Sequence, residues 1–305
     1  MIPVTPVIMA DLKPIVIVVA CDNHYTPLLA ALMKSIEVNH KSGEPILFYI
    51  LDDGISPGKK RKLTDSVSDN MFTIKWVDKK SVIPAGMNIP YDNSSYPLII
   101  HMRMFIPYFI PEKFEKVIYM DVDMIVNGEI SELWNTDLKS YCVGAVLDVR
   151  IREFGKPNAV ANFKELGFAA TTPYFNTGLL LMNTKKWRDE DLTPKIFQCI
   201  EENRSYANYP DQYGLNVVFA NSWLEIDTRW SWSAEEWNPD FRLVHFIWRK
   251  PIYKSYMNDK RYQDMFFGYL NLTRWKGFRP INEFRRLSKK GLNKLLKLPL
   301  LLKNK

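Results

Sequence analysis

Asp121-Val122-Asp123 is the strongest chemical signal in the chain. In an extended segment, side chains two positions apart project to one side. Two carboxylates on one face can grip a hard divalent cation and leave positions open for phosphate oxygens. A cation held there screens a diphosphate and stabilises it as a leaving group. The pair lies between apolar flanks, Val117–Met120 before it and Met124–Val126 after it. A like-charge pair in such surroundings is costly without a cation. Asp22 and Asp148 also close apolar runs. Open α/β sheets bind ligands outside the carboxyl ends of their strands, so the three positions are candidates for one shared site. Singly, each Asp has an ordinary alternative as a turn or cap residue. A phosphohydrolase with an aspartate nucleophile would also place Asp-x-Asp after a strand. It needs the pair near the start of the core, a later lysine and a second acidic pair.

The elements that must position these residues follow from periodicity. Ile15–Cys21, Ile46–Leu51 and Phe72–Val77 read as strands, the first two as buried β-branched or apolar runs. Helices are expected over Leu28–Asn39 and Ser56–Ser68 between them, the second with Pro57 in its first turn. Strand alternating with helix opens a parallel α/β sheet. A loop is expected over about 81–97 and a helix over 98–108. Strands are expected at Val117–Met120, Tyr141–Leu147, Phe175–Met182 and Leu243–Ile247, and a helix at Asp191–Asn203. Ile130–Leu133 reads as a turn, and the chain from 204 to Trp237 as aromatic loops.

Bulk properties narrow the function classes. A chain of 305 residues, 47% hydrophobic and 25% charged, is ordinary globular material with room for a sizeable core. Cys21, Cys142 and Cys199 are odd in number and widely spaced, which gives neither a disulfide framework nor a zinc motif and fits a reducing compartment. The first residues lack a basic start and are broken by Pro3 and Pro6, unlike a signal peptide. A soluble or peripheral protein is expected. Of the net charge of +7, residues 276–305 carry +9, so residues 1–275 sum to −2. Basicity confined to a tail does not indicate nucleic-acid binding. The expected organisation is an N-terminal extension over 1–14, one catalytic domain over 15–275 and a basic tail over 276–305.

The ordered motifs resemble glycosyltransferase family 8, most closely the bacterial lipopolysaccharide and lipooligosaccharide α-galactosyl- and α-glucosyltransferases. The resemblance rests on Ala20-Cys21-Asp22-Asn23-His24-Tyr25-Thr26-Pro27, Asp121-Val122-Asp123, Phe175-Asn176-Thr177-Gly178-Leu179-Leu180, Lys185-Lys186-Trp187-Arg188, Asp211-Gln212 and His245, in that order. It covers about residues 15–255. It implies a GT-A fold, a nucleotide-binding α/β domain with a mixed sheet, and transfer of galactose or glucose from a UDP-sugar with anomeric retention. By that resemblance Ala20, Cys21, Asp22, His24 and Tyr25 hold the uridine and ribose, and Asp121, Val122 and Lys250 complete the nucleotide contacts. The family commonly has Asn at the His24 position. Asp121, Asp123 and His245 are implied to bind Mn²⁺ or Mg²⁺, and imidazole suits Mn²⁺ better. Arg103 is implied near phosphate and sugar, where a cation is physically sensible. Asp148 and Asn176 are implied on the donor sugar, with Asp211 and Gln212 facing the anomeric carbon as the catalytic pair. An amide is a poor nucleophile, so front-face attack within an ion pair stands beside double displacement. After His245 the chain departs from the family pattern: Trp248 replaces Gly, Lys250 comes one residue early, and Tyr253 stands roughly for Trp, which leaves Arg249 beside Lys250 as a candidate for the phosphate.

The acceptor implied is a saccharide or glycolipid. Trp223, Trp230, Trp232 and Trp237 could stack on it or simply pack in the core. The long stretch 149–174 is expected to act as a lid. In the tail, Phe284, Leu287, Leu292, Leu295, Leu296 and Leu298 oppose Arg285, Arg286, Lys289, Lys290, Lys294 and Lys297 on a helical wheel. That is an interfacial amphipathic pattern suited to an anionic membrane surface. The alternative is a solvated basic tail. Together these imply a cytoplasmic enzyme, peripheral to the inner face of the plasma membrane. The other functions kept open are the phosphohydrolase and a non-catalytic sugar-binding relative.

Overall fold

A computed structural model describes residues 12–84, 87, 89 and 98–283. The expected amphipathic segment 284–298, most of the 1–14 extension and most of the loop 81–97 lie outside the described residues. In chain order the elements are β1 (Ile15–Asp22), α1 (Thr26–Asn39), β2 (Ile46–Asp53), α2 (Pro57–Thr64) and β3 (Phe72–Asp78). A 3-10 helix over Leu98–Phe105 leads into α3 (Ile106–Phe109), then β4 (Lys116–Met120), β5 (Met124–Val126), α4 (Ile130–Trp134) and β6 (Val143–Leu147). The second half holds β7 (Phe175–Asn183), α5 (Thr184–Asp189), α6 (Leu192–Glu202), α7 (Pro210–Val218), β8 (Leu224–Ile226), β9 (Trp232–Ser233), β10 (Leu243–His245) and α8 (Lys260–Asn271).

Seven strands form one mixed sheet in the order β3-β2-β1-β4-β7-β6-β8. β7 runs antiparallel to both β4 and β6, and the other neighbours pair parallel. Alternation explains why β1 reads as an unbroken apolar run: both faces of the sheet are covered. Ile15, Ile17 and Val19 pack with α1 and α8, while Val16 and Val18 pack with the 98–110 segment, α6 and α7. A second, three-stranded sheet in the order β5-β10-β9 sits beside the main one.

Three expectations need correction. Ile130–Trp134 is a short helix, with Glu129 accepting from the N–H of Ser131 as its cap. The region beyond 204 contains α7, which periodicity missed because Gly214, Asn216, Val217 and Val218 are weak helix formers. Tertiary packing overrides that propensity. A Cβ on Gly214 would stand 2.6 Å from Cγ1 of Ile200, so the glycine lets α7 lie close on α6. Asn216 then docks α7 to the sheet, accepting from Phe175 N (2.8 Å) and donating to Phe175 O (2.9 Å). The stretch 149–174 has a small core of its own, with Phe154, Val160 and Tyr174 packed against Tyr213. Tyr213 Oη also donates to Asn162 at 2.7 Å. Arg150, Ile151, Lys156, Pro157 and Asn158 of this stretch line the cleft described below. Finally, the boundary expected at 275 falls inside packed chain. Ile281 bridges to Tyr253, and the buried Glu283 accepts from Arg249 and Ser255.

Candidate active site

The reversal of β7 assembles the site. Because β7 is antiparallel to β4 and β6, its first residues lie at the carboxyl ends of those strands. Asp121 N donates to Gly178 O at 2.8 Å, and Asn176 stands opposite Val146, two residues before Asp148. β10 brings in His245 by pairing with Met124, and Phe246 N donates to Asp123 O at 2.9 Å. A cleft of about 620 Å³ opens here, with Arg103, Asp121, Asp123, Asp148, Asn176, Asp211, Gln212, His245 and Lys250 all on its wall.

Asp121, Asp123 and His245 each present one ligand atom, all within 4.8 Å of one another. His245 Nε2 lies 3.4 Å from Asp123 Oδ1 and 3.9 Å from Asp121 Oδ2. Two carboxylates and one imidazole nitrogen converging on a point are a donor set that fits Mn²⁺, and less well Mg²⁺. Lys250 completes the corner. Its ammonium pairs with Asp123 and donates to Phe246 O and Ile247 O, each at 2.7 Å. Burial pushes the Asp123 carboxyl up, but Lys250 and His245 outweigh it and hold the group well below the usual carboxylate range. For Asp121 burial also pushes up, Arg103 opposes it, Asp123 adds to it, and the net is a rise.

Arg103 is not a surface arginine: it is 5% exposed. Nε donates to Ile100 O (3.1 Å), Nη1 to Thr177 O, and Nη2 to Asp121 Oδ1 (3.2 Å). Nη2 also stands 3.5 Å from Asp211 Oδ2. Burial alone would lower its pKa, yet Asp121, Tyr119 and Asp211 reverse this and raise it. A buried charge survives only when paired like this.

At the other end of the cleft Asp148 is a hub. Its Oδ1 accepts from the N–H groups of Arg150 (2.9 Å) and Ile151 (2.8 Å). Its Oδ2 accepts from Asn176 Nδ2 (3.1 Å) and Gln212 Nε2 (3.3 Å). Gln212 Oε1 in turn faces Thr177 N and Oγ1 at 3.5 and 3.4 Å. Asp211 and Gln212, expected in a loop, occupy the first turn of α7 behind Pro210. A helix start favours acidic side chains and fixes their direction.

Ala20, Cys21, Asp22, His24, Tyr25 and Val122 do not line this cleft. The first five form the end of β1 and the turn into α1. Asp22 Oδ1 accepts from the N–H groups of His24 and Tyr25, both at 2.8 Å, which shapes that turn. His24 Nε2 lies 2.8 Å from Tyr253 Oη, tying the turn to the segment after Lys250. The Cys21 and Val122 side chains are buried in the core, so of these two residues only the backbone can meet a ligand.

Residues 16–247 match the family described as glycosyl transferase family 8. The chain belongs to that family. It is 26% identical over 286 residues to general stress protein A of Bacillus subtilis, covering 85% of this chain and 94% of that one. It is 29% identical to the glycosyltransferase GlyF of Streptococcus pneumoniae, covering 71% of this chain and 48% of that one. Among solved structures it resembles galactosyltransferase LgtC in complex with donor and acceptor sugar analogues. The TM-score there is 0.71 at 23% identity, over 85% of this chain and 96% of that one. It also resembles the bifunctional glycosyltransferase WbbM, with a TM-score of 0.72 at 20% identity, over 89% of this chain and 51% of that one. At such identities the structural likeness speaks for the fold, which is GT-A. Family 8 membership makes glycosyl transfer the activity and sets the phosphohydrolase aside. It implies a nucleotide-sugar donor and an acceptor.

Two roles in this family 8 site escaped the sequence reading, that of Tyr119 and that of Gly178 within its motif. Tyr119 shares the Asp121 face of β4, and its Oη donates to Asp121 Oδ1 at 2.7 Å while Arg103 lies 4.7 Å over its ring. Asp121 Oδ2 is thereby left for the cluster. The two-residue spacing to Asp121 was the available signal. Gly178 stands against the cluster: a Cβ there would come 2.5 Å from His245 Cε1 and 3.0 Å from Asp121 Oδ2. The four expected tryptophans are mostly core or scaffold. Trp223 and Trp230 are buried, Trp237 packs on Phe241 and Tyr262, and Trp232 Nε1 donates to Glu236 O. The exposed indole on the cleft wall is Trp248.

Proposed function

We propose that this family 8 enzyme transfers galactose or glucose from a UDP-sugar to a saccharide or glycolipid acceptor with retention of anomeric configuration. The observation that carries this reading is the convergence of Asp121, Asp123 and His245 beside Lys250, at the edge of a cleft whose far end is lined by Asp148, Asn176 and Gln212. The three converging residues are the proposed ligands of Mn²⁺ or Mg²⁺, which when bound would screen the donor diphosphate. Lys250 supplies a second positive charge for the leaving phosphate. The Ala20–Tyr25 turn and the backbone at Asp121-Val122 are assigned to the uridine and ribose.

Asp148 accepts from, and Asn176 donates to, hydroxyls of the donor sugar, which would select hydroxyl geometry. Arg103 holds Asp121 and Asp211 in place and brings its charge to the phosphate–sugar junction. Both ends of the Gln212 amide are engaged, with Asp148 and Thr177, so its orientation is set. Asp211 faces Arg103, which weakens it as a nucleophile. We therefore favour front-face attack, with Asp211 and Gln212 stabilising positive charge at the anomeric carbon.

A panel of nucleotide sugars with Mn²⁺, read by calorimetry and by UDP release, tests the reading. Metal-dependent UDP release from UDP-galactose or UDP-glucose, increased by acceptor, is expected. Tight UDP binding without turnover would make the chain a non-catalytic relative. No helix among the described residues is long and apolar enough to cross a membrane. We further propose that the 284–298 segment places the enzyme on an anionic membrane surface, at the cytoplasmic face. Flotation of the full chain on phosphatidylglycerol vesicles, lost when the chain stops at 283, is the expected result.

A further inference from the structure

Five large hydrophobic side chains are exposed among the described residues: Val38, Tyr108, Trp248, Met257 and Leu272. Of these only Trp248 lines the cleft, and it is 56% exposed. The indole has a cationic neighbour on one face. The Arg150 guanidinium lies 5.1 Å from the ring centroid, and Arg150 itself pairs with Glu235. A guanidinium stacks on one face of an indole only. With more than half of Trp248 still exposed, the remaining ring surface is open to a ligand.

The ring also stands at a defined place. Arg150 is bonded through its own N–H to Asp148 Oδ1, the hub of the sugar end. Trp248 follows His245 by three residues and precedes Lys250 by two. The platform is thus tied on one side to the sugar-end carboxylate and on the other to the acid cluster. The buried polar residues of the cleft belong to those two groups, and the lip carries the exposed ones. A second substrate must reach the reacting carbon across that lip. Indole faces take up the C–H face of a pyranose, and the neighbouring Arg150 and Glu235 offer donors and acceptors for its hydroxyls.

We propose that Trp248, backed by Arg150 and Glu235, is the acceptor platform and takes a pyranose that presents one unbroken C–H face. This rests on the glycosyl-transfer reading of the cleft. The test uses the full chain with Mn²⁺ and UDP, and methyl β-galactoside, methyl β-glucoside and methyl β-xyloside as probes. In saturation-transfer NMR the wild type is expected to mark the protons of one ring face of at least one probe. Trp248→Phe keeps that pattern. Trp248→Ala weakens probe binding by about tenfold, the loss expected when a stacking surface is removed. Calorimetry with UDP-galactose and UDP-glucose is expected to give the same donor affinity for Trp248→Ala as for wild type. The platform is overturned if Trp248→Ala binds the probes as wild type does, if donor affinity falls in parallel, or if no probe receives saturation from the wild type. Wild type that takes up a pyranoside but neither UDP-sugar overturns the donor reading and, with it, the platform's role. Lost pyranoside binding with donor binding intact supports the platform.

Discussion

At the floor of the cleft, Arg103, Tyr119, Asp121, Asp123 and His245 stand on or beside strand ends, and each is tied to at least one of the others. At the lip, Arg150, Lys156 and Trp248 stand on connecting segments with their side chains in solvent. The floor is held by the two sheets: β4 and β7 of the larger and β10 of the smaller fix the backbone, and buried charge pairs then fix the side chains. The lip is held by one stacked pair and one ion pair, Arg150 with Trp248 and with Glu235. A floor built this way can be common to many donor-using enzymes, while the lip is free to vary with the acceptor. Substitutions at the floor are therefore expected to strike chemistry, metal affinity and stability together, and those at the lip to strike acceptor use alone.

The largest expected effect is at the cluster. Asp121→Asn or Asp123→Asn should lower UDP release about a thousandfold or more, from the several kcal/mol a metal supplies to a developing phosphate charge. Chelation of the wild type should match this loss and Mn²⁺ should restore it; activity undiminished by chelation would break the floor's assignment. Next is Arg103→Ala, which leaves Asp121 and Asp211 without their cation. A loss of about 3–5 kcal/mol in denaturant unfolding is expected, as for other broken buried pairs. Gly178→Ala should follow, because the added methyl must displace the His245 ring. Overpacking of that kind costs about 1–3 kcal/mol, and Mn²⁺ calorimetry should show weakened binding as well. Tyr119→Phe removes one hydroxyl. It should weaken Mn²⁺ by about tenfold to a hundredfold, the usual cost of losing a group that orients a ligand, and lower unfolding stability by about 1–3 kcal/mol, because the buried carboxylate loses a hydrogen bond. The smallest effect is at the lip, where Lys156→Ala should alter stability by no more than about 0.5 kcal/mol, the range for exposed substitutions away from special features. Its acceptor-free UDP release should equal wild type. A large drop there would mean that the lip shares in the donor chemistry and would blur the contrast.

Some of this was legible from residue order. The strand run Ile15–Cys21 and the alternation through Phe72–Val77 gave the parallel half of the sheet, because β-branched runs with both faces covered leave few other readings. Asp121 and Asp123 were legible because a two-residue spacing after an apolar run forces two carboxylates to one side. α7 was not, since Gly214 and Asn216 look like loop residues until Ile200 and Phe175 stand against them. For the four tryptophans between 223 and 237 residue order left a sugar surface and core packing both open; Trp223 and Trp230 proved buried, and Trp232 and Trp237 bond or pack within the framework.

The sequence by itself determined the α/β order, the Asp-x-Asp pair and the family to which the motifs belong, since these depend on periodicity and local spacing. The tertiary structure alone decided three other things. It reversed β7 so that Asn176 and Gly178 meet Asp121 and Asp148, it buried Arg103 between two carboxylates, and it left Trp248 exposed at the cleft. Each depends on groups far apart in the chain meeting within a few ångströms, and no local rule of spacing encodes such a meeting.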